Sequence, residues 1–187
     1  GAVYMIASGP AVVSPGGAAA WLSLRLDPVS ATMSVLVAFV GWVVMRYART
    51  YLDGEPQEGM FHALMLATLA GVLVLVLSGS FVVLVAAFAA IGLALRRLLL
   101  FYPDRPEARR AATKFTLVWG AGDLAFVLAA SLFWLAFDTL DYAGIAGGAQ
   151  AGLPVAGHAA VAVLVLGAAL KTAAFPLHGW LTAVMEA

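Results

Sequence analysis

The sequence contains no cysteine in its 187 residues. This absence excludes disulfides, thiolate zinc sites and iron–sulfur clusters held by this chain. The three histidines, His62, His158 and His178, are scattered over separate segments and lack the spacing of a metal site. We therefore expect neither a metal ion nor a cofactor on this chain.

Charged residues are also scarce, at 11% of the chain, and ten basic residues balance ten acidic ones. A neutral chain has no net field to attract a polyanion, so nucleic acid is not an expected partner. The sequence also lacks a nucleophile–base pattern, paired carboxylates and a phosphate-binding loop. We predict that the chain is not an enzyme by itself.

Apolar residues are abundant: they make up 64% of the chain, and the mean hydropathy is +1.00. This composition predicts an all-α, polytopic membrane helix bundle, with residues 1–187 forming a single transmembrane domain. Five segments approach the roughly 20 apolar residues that a bilayer requires. These predicted spans are residues 29–51, 59–78, 81–102, 109–137 and 158–174, the last resuming at 177–187 after a helix break at Pro176.

The connecting segments carry turn and capping signals. Asp27 and Pro28 are suited to start the first span, and residues 78–80, Ser-Gly-Ser, predict a tight turn before the third. Residues 138–157 predict a polar, glycine-rich loop. Residues 1–26 contain two short apolar stretches, which we interpret as the tail of an earlier helix. Because the chain starts without Met and stops within an apolar segment, we expect it to be a piece of a longer polypeptide.

The arginines predict the orientation. All but one fall on one side of the predicted spans, and Arg25 falls on the other. Basic loops stay cytoplasmic, so the arginine-rich side should face the cytoplasm. That side receives Arg46, Arg49, Arg96, Arg97, Arg105, Arg109 and Arg110.

Three ionisable residues lie inside spans: Lys114, Asp123 and Lys171. A charge in hydrocarbon costs several kcal/mol, and a broken helix is tolerated where it faces protein or water, so together they indicate an ion pathway. Lys114 and Asp123 are nine residues apart, on opposite faces of one helix, which makes Lys171 the expected partner of Asp123. A lysine whose carboxylate can approach or withdraw is a proton site of adjustable affinity.

Each of these residues also has a structural interpretation. Lys171 and Asp123 could form a static ion pair that joins two helices. Lys114 could extend to the membrane interface, as could Arg96 and Arg97, which are accessory candidates for proton transfer. The remaining candidate is His178, either a proton relay after the break or a histidine at a polar helix edge. We interpret Trp42, Trp119, Trp134 and Trp180 as packing or interfacial residues.

Three motifs resemble the membrane subunits of proton-pumping NADH dehydrogenases and multisubunit antiporters. They are LDPVSATM at residues 26–33, KFTLVWGAGD at residues 114–123 and KTAAFPLHGWL at residues 171–181. The resemblance implies an antiporter-like fold of about fourteen helices, of which this chain is the front part. It also implies that Lys171 is the central proton-transfer lysine of the broken helix.

One position departs from that pattern. The energy-converting members have a Trp-Glu pair on the third span, where this sequence has Phe88 and Ala89. Residues 93–106, LALRRLLLFYPDRP, are more similar to the DabB branch, the membrane subunits of inorganic-carbon accumulation complexes. That branch implies a bacterial inner membrane and a DabA-like partner, which resembles a β-type carbonic anhydrase and holds zinc.

Three functions remain open from the sequence. The first is a proton- or cation-conducting subunit that couples an ion gradient to CO2 or bicarbonate accumulation. The second is an antiporter-like subunit of a respiratory NADH dehydrogenase complex or a multisubunit Na+/H+ antiporter. The third is an anchor that docks a partner without transport.

Overall fold

The computed structural model describes residues 11–14, 21–54, 57–101, 105–172 and 178–185. Four of the described helices are long and apolar enough to cross a membrane, and a fifth apolar helix has 17 residues. This confirms a polytopic, helical membrane fold. The elements are β1 (Ala11–Val13), β2 (Leu24–Leu26), α1 (Pro28–Tyr51), α2 (Glu58–Val76), α3 (Phe81–Leu99), α4 (Pro106–Phe137), α5 (Tyr142–Gln150), α6 (Val155–Lys171) and α7 (Gly179–Met185).

The helix ends lie close to the predicted ones, and the start of α1 shows why. Asp27 Oδ1 accepts a 2.8 Å hydrogen bond from the Ser30 backbone N–H, and Ser30 Oγ accepts one of 2.8 Å from the Asp27 N–H. This capping box satisfies two N–H groups that a helix start leaves open, with Pro28 in the first turn. The predicted break at Pro176 lies outside the described residues, between the end of α6 and the start of α7.

Two predictions about the connections are wrong. The described part of residues 1–26 is not the tail of a helix: β1 pairs antiparallel with β2, Val12 opposite Arg25. The sequence of a short apolar stretch does not distinguish a strand from a helix, and here the pairing of β1 with β2 makes both segments strands. The predicted loop 138–157 contains helix α5, because Asp141 caps its start by accepting a 3.1 Å bond from the Ala143 N–H.

The chain divides into two compact units, Gly1–Ala94 and Leu95–Ala187. In the first unit α1 packs on α2, where Gly41 leaves room for the side chain of Leu69. The predicted turn at residues 78–80 is present and is tied to the segment before α1. Ser80 Oγ donates to the Trp21 carbonyl at 2.6 Å, and the Gly79 N–H donates to the Ser23 carbonyl at 2.9 Å.

In the second unit α4 packs against α6 and also contacts α5 and α7. Gly122 on α4 faces Lys171 at the end of α6, and Phe126 on α4 faces Gly167 one turn earlier on α6. The two helices therefore run antiparallel. Each glycine makes room for a side chain of the facing helix, which is one way that small residues let membrane helices pack closely.

Candidate functional site

An ion pair joins α4 and α6 in the second unit. Lys171 Nζ donates a hydrogen bond of 2.6 Å to Oδ1 of Asp123. The lysine side chain is 3% exposed and the aspartate side chain 25% exposed. The predicted partnership of Asp123 with Lys171 is therefore present, with the cation enclosed and the anion partly open.

Backbone geometry positions the lysine. Lys171 is the last residue of α6, where the unsatisfied carbonyls give the helix end a partial negative charge that favours a cation. Its aliphatic chain then crosses to α4 beside Gly122, where an added Cβ would lie 3.0 Å from the lysine Cε. The glycine thus provides the space through which the ammonium reaches Asp123.

An aromatic cluster covers the ammonium. Lys171 Nζ lies 3.9 Å from the centre of the Trp119 ring, which attracts a cation through its electron-rich face. Phe115 stacks on Trp119 at 4.9 Å, and Trp180 of α7 meets Trp119 edge to face at 5.9 Å. Our interpretation of Trp119 as a packing or interfacial residue missed this contact. Its spacing of four residues from Asp123, which places both on one helix face, was the available signal.

The remaining candidates lie at exposed positions. Lys114 is exposed on α4, on the helix face opposite Asp123, and Arg96 and Arg97 are exposed near the end of α3. His178 is exposed immediately before α7. Within the described ranges, no group of three histidine or acidic side chains is arranged to hold a metal ion.

The geometry defines a class of protein. Four membrane-length helices, and an enclosed ammonium paired with a carboxylate between one of them and the shorter apolar helix α6, form a multi-pass membrane protein with an internal ion site. Residues 78–187 match the transmembrane family model of the NADH:quinone oxidoreductases and Mrp antiporters. Residues 13–62 match the N-terminal model of chain 5 of NADH-ubiquinone oxidoreductase, complex I. The chain belongs to the NADH:quinone oxidoreductase/Mrp antiporter family, which confirms the resemblance.

Two curated relatives place the chain within that family. It is 38% identical over 168 residues to the probable inorganic carbon transporter subunit DabB2 of Halothiobacillus neapolitanus, covering 89% of this chain and 30% of that protein. It is 30% identical over 178 residues to NADH-quinone oxidoreductase subunit L of Mycobacterium tuberculosis, covering 93% of this chain and 28% of that protein. The chain thus spans about 30% of the length of these relatives.

Solved structures share the fold. The Mrp complex from Dietzia sp. DQ12-45-1b matches with a TM-score of 0.81 and 30% identity, over 98% of this chain and 21% of that one. An archaeal membrane-bound sulfane sulfur reductase matches with a TM-score of 0.82 and 22% identity, over 98% of this chain and 38% of that one. The second match shows the fold alone.

Proposed function

We propose that this chain is the front part of a proton-conducting membrane subunit that couples an ion gradient to the accumulation of inorganic carbon. The observation that carries the proposal is the enclosed Lys171–Asp123 pair, because an intramembrane charge is costly and is typically retained for transport. The similarity to DabB2 supplies the expected cargo, CO2 or bicarbonate.

The pair would move one proton at a time. The Lys171 ammonium passes a proton along its hydrogen bond to Asp123, which leaves a neutral amine and a carboxylic acid. The acid releases that proton on its more open side, and the amine then takes up the next one. The face of the Trp119 ring stabilises the ammonium form of Lys171, so the proton would reside on the lysine between transfers to the carboxylate. Lys114 and His178 are the next relay candidates, and Arg96 and Arg97 are accessory.

A DabA-like partner would do the carbon chemistry. Resemblance to the DabB branch implies a subunit that is similar to a β-type carbonic anhydrase and holds zinc. Ion flow through this chain, of protons or Na+, would make hydration of CO2 by that subunit one-way. The absence of an acid at Ala89 favours this function over respiratory proton pumping, where the resemblance places a Glu.

The test replaces Lys171 in the full-length protein co-expressed with its partner. We expect Lys171→Ala to abolish accumulation of labelled inorganic carbon, while the complex still co-purifies. Lys171→Arg should also fail, since arginine keeps the ion pair but does not release its proton. Arg49→Ala, which removes an exposed cation from the end of α1, is the matched control and should retain uptake. Full uptake by an assembled Lys171→Ala complex would leave only the anchoring function.

A second function is supported by the match to NADH-quinone oxidoreductase subunit L and to the Mrp complex. In it, the chain is an antiporter-like subunit of a respiratory complex or of a multisubunit Na+/H+ antiporter. Co-purification separates the two functions: a soluble zinc subunit supports carbon accumulation, and quinone-reductase subunits support the respiratory one. Comparing uptake in sodium-free buffer with uptake after addition of a protonophore identifies the coupling ion.

A further inference from the structure

A cleft of about 370 Å³ opens where α3 ends and α4 begins, within the second unit. Its lining combines two arginines, two threonines and aliphatic side chains. The described lining residues include no acidic side chain. They are Arg96, Leu100, Arg109, Ala112, Thr113, Thr116 and Leu117.

The lining changes character along α4. Arg109 lies in the first turn of α4, Thr113 one turn further in, and Leu117 two turns in, so all three follow one stripe of the helix. At 1.5 Å per residue this stripe covers about 12 Å. Arg96, close to the end of α3, adds a second positive charge to the lining. Along α4 the lining therefore changes from cationic to hydroxylic to apolar.

The two threonine hydroxyls already donate their protons within α4, so toward a ligand they can only accept a hydrogen bond. Thr113 Oγ1 donates its proton to the Arg109 carbonyl at 2.9 Å, and Thr116 Oγ1 donates to the Ala112 carbonyl at 2.6 Å. Their oxygens thus present lone pairs to the cleft. Donors for an anion must come from the guanidinium groups. Each guanidinium has five N–H groups, so Arg109 can bind a ligand in addition to its interactions within the chain.

We propose that this cleft binds the head group of phosphatidylglycerol. Its phosphate would pair with Arg96 and Arg109, its glycerol hydroxyls would donate to Thr113 and Thr116, and its acyl chains would run along Leu117. Phosphatidylethanolamine fits less well, because its ammonium would lie beside two arginines. The position at the arginine-rich end of two membrane helices is the depth of lipid phosphates. This inference does not depend on proton conduction.

The experiment measures lipids retained by the purified full-length protein. Native mass spectrometry and lipid extraction should show phosphatidylglycerol enriched over phosphatidylethanolamine relative to the source membrane. Arg96→Gln with Arg109→Gln should weaken its retention by about fivefold per arginine. The matched control is Arg97→Gln with Arg110→Gln, the exposed neighbours that do not line the cleft, and it should keep the wild-type lipid content.

Several outcomes would overturn the proposal. They are equal lipid loss in both double variants, no loss in the first, or equal retention of phosphatidylethanolamine. Loss of a partner subunit without any change in lipid would instead identify a protein-docking surface. If the first variant does not fold, the delipidated wild-type protein provides the test. Added phosphatidylglycerol should raise its thermal midpoint more than phosphatidylethanolamine does, and equal shifts would refute the site.

Discussion

The ion pair at the centre of the site is unequal in its solvation. The Lys171 ammonium is almost fully enclosed, between Asp123 and the face of Trp119, whereas the carboxylate is a quarter exposed. A buried charge that loses its partner costs more than an open one, because the open group can still be hydrated. Leaving Lys171 without Asp123 should therefore destabilise the protein more than leaving Asp123 without Lys171.

Replacing Asp123 and replacing Lys171 should consequently lower the free energy of unfolding by different amounts. Asp123→Asn leaves an enclosed ammonium without its carboxylate and should lower the free energy of unfolding by about 3 kcal/mol. Lys171→Met removes the enclosed charge and should cost clearly less. Thermal unfolding in detergent gives the order of the midpoints. The double variant serves as the control for coupling between the two sites. A larger loss in Lys171→Met would refute the unequal solvation.

The packing of α4 against α6 in the second unit depends on where the glycines lie. At Gly167 an added Cβ would lie 2.8 Å from the Phe126 ring, so the ring of α4 packs there directly against the backbone of α6. At Gly120, on the same helix as Asp123, no atom lies within 4 Å of an added Cβ. One glycine is a packing requirement, and the other is not.

Alanine substitutions should distinguish these two glycines. Gly167→Ala forces α6 away from α4 and should destabilise the protein by about 1–3 kcal/mol, the usual cost of overpacking. Gly120→Ala should be neutral or stabilising by up to about 1 kcal/mol, since alanine favours a helix. Thermal midpoints in detergent measure both changes. Equal losses at the two positions would show that α4 and α6 do not pack as described.

The start of α1 should respond to pH through Asp27. The hydrogen bond from the Ser30 backbone N–H holds the pKa of Asp27 below its usual 3.8. A lowered pKa stabilises the folded state at pH values above 3.8, and this contribution is lost as the pH falls through the folded pKa. Asn at this position retains the cap without titrating.

We therefore expect the stability of the wild-type protein to fall as the pH drops toward and below 3.8, the usual pKa of this carboxyl group, and Asp27→Asn to reduce that fall. Asp27→Ala should cost about 1 kcal/mol already at neutral pH, because the cap is lost. Unfolding midpoints measured across this pH range are the readout. An unchanged pH slope in Asp27→Asn would exclude Asp27 as its source.

At the scale of the whole molecule, the length of α4 determines on which sides of the membrane its two ends lie. Its 32 residues extend about 48 Å at 1.5 Å per residue, more than the roughly 30 Å of a hydrocarbon core. The first turn of α4 and helix α5 therefore belong to opposite faces of the membrane. The arginines at the start of α4 predict that this end is cytoplasmic.

Single cysteines can test that orientation, since this stretch has none of its own. Glu107→Cys, in the first turn of α4, should react with an impermeant maleimide only after the cells are permeabilised. Gln150→Cys, at the end of α5, should react in intact spheroplasts. Both positions are exposed, so the labelling depends on whether the maleimide reaches that side of the membrane. Any cysteine elsewhere in the full-length protein is replaced by serine beforehand. The reverse labelling pattern would invert the assigned topology.

The amino-acid sequence alone was enough to predict the helical membrane class and the approximate ends of each long helix. Both depend on local properties: apolar length, and capping residues such as Asp27, act within one segment. It also indicated Lys171 and Asp123, because buried charges are costly in any membrane fold. It did not reveal α5 or the β1–β2 pairing, where short segments take the conformation that their contacts stabilise.

The surroundings of the ion pair depend on helix packing and could not be predicted from the sequence. The approach of α6 to Gly122 directs the Lys171 ammonium onto Asp123 and over Trp119, and it leaves the carboxylate the more open partner. The hydrogen bond at the centre of this arrangement joins residues 48 positions apart. It depends on how two helices rotate and pack, which periodicity within either helix does not specify.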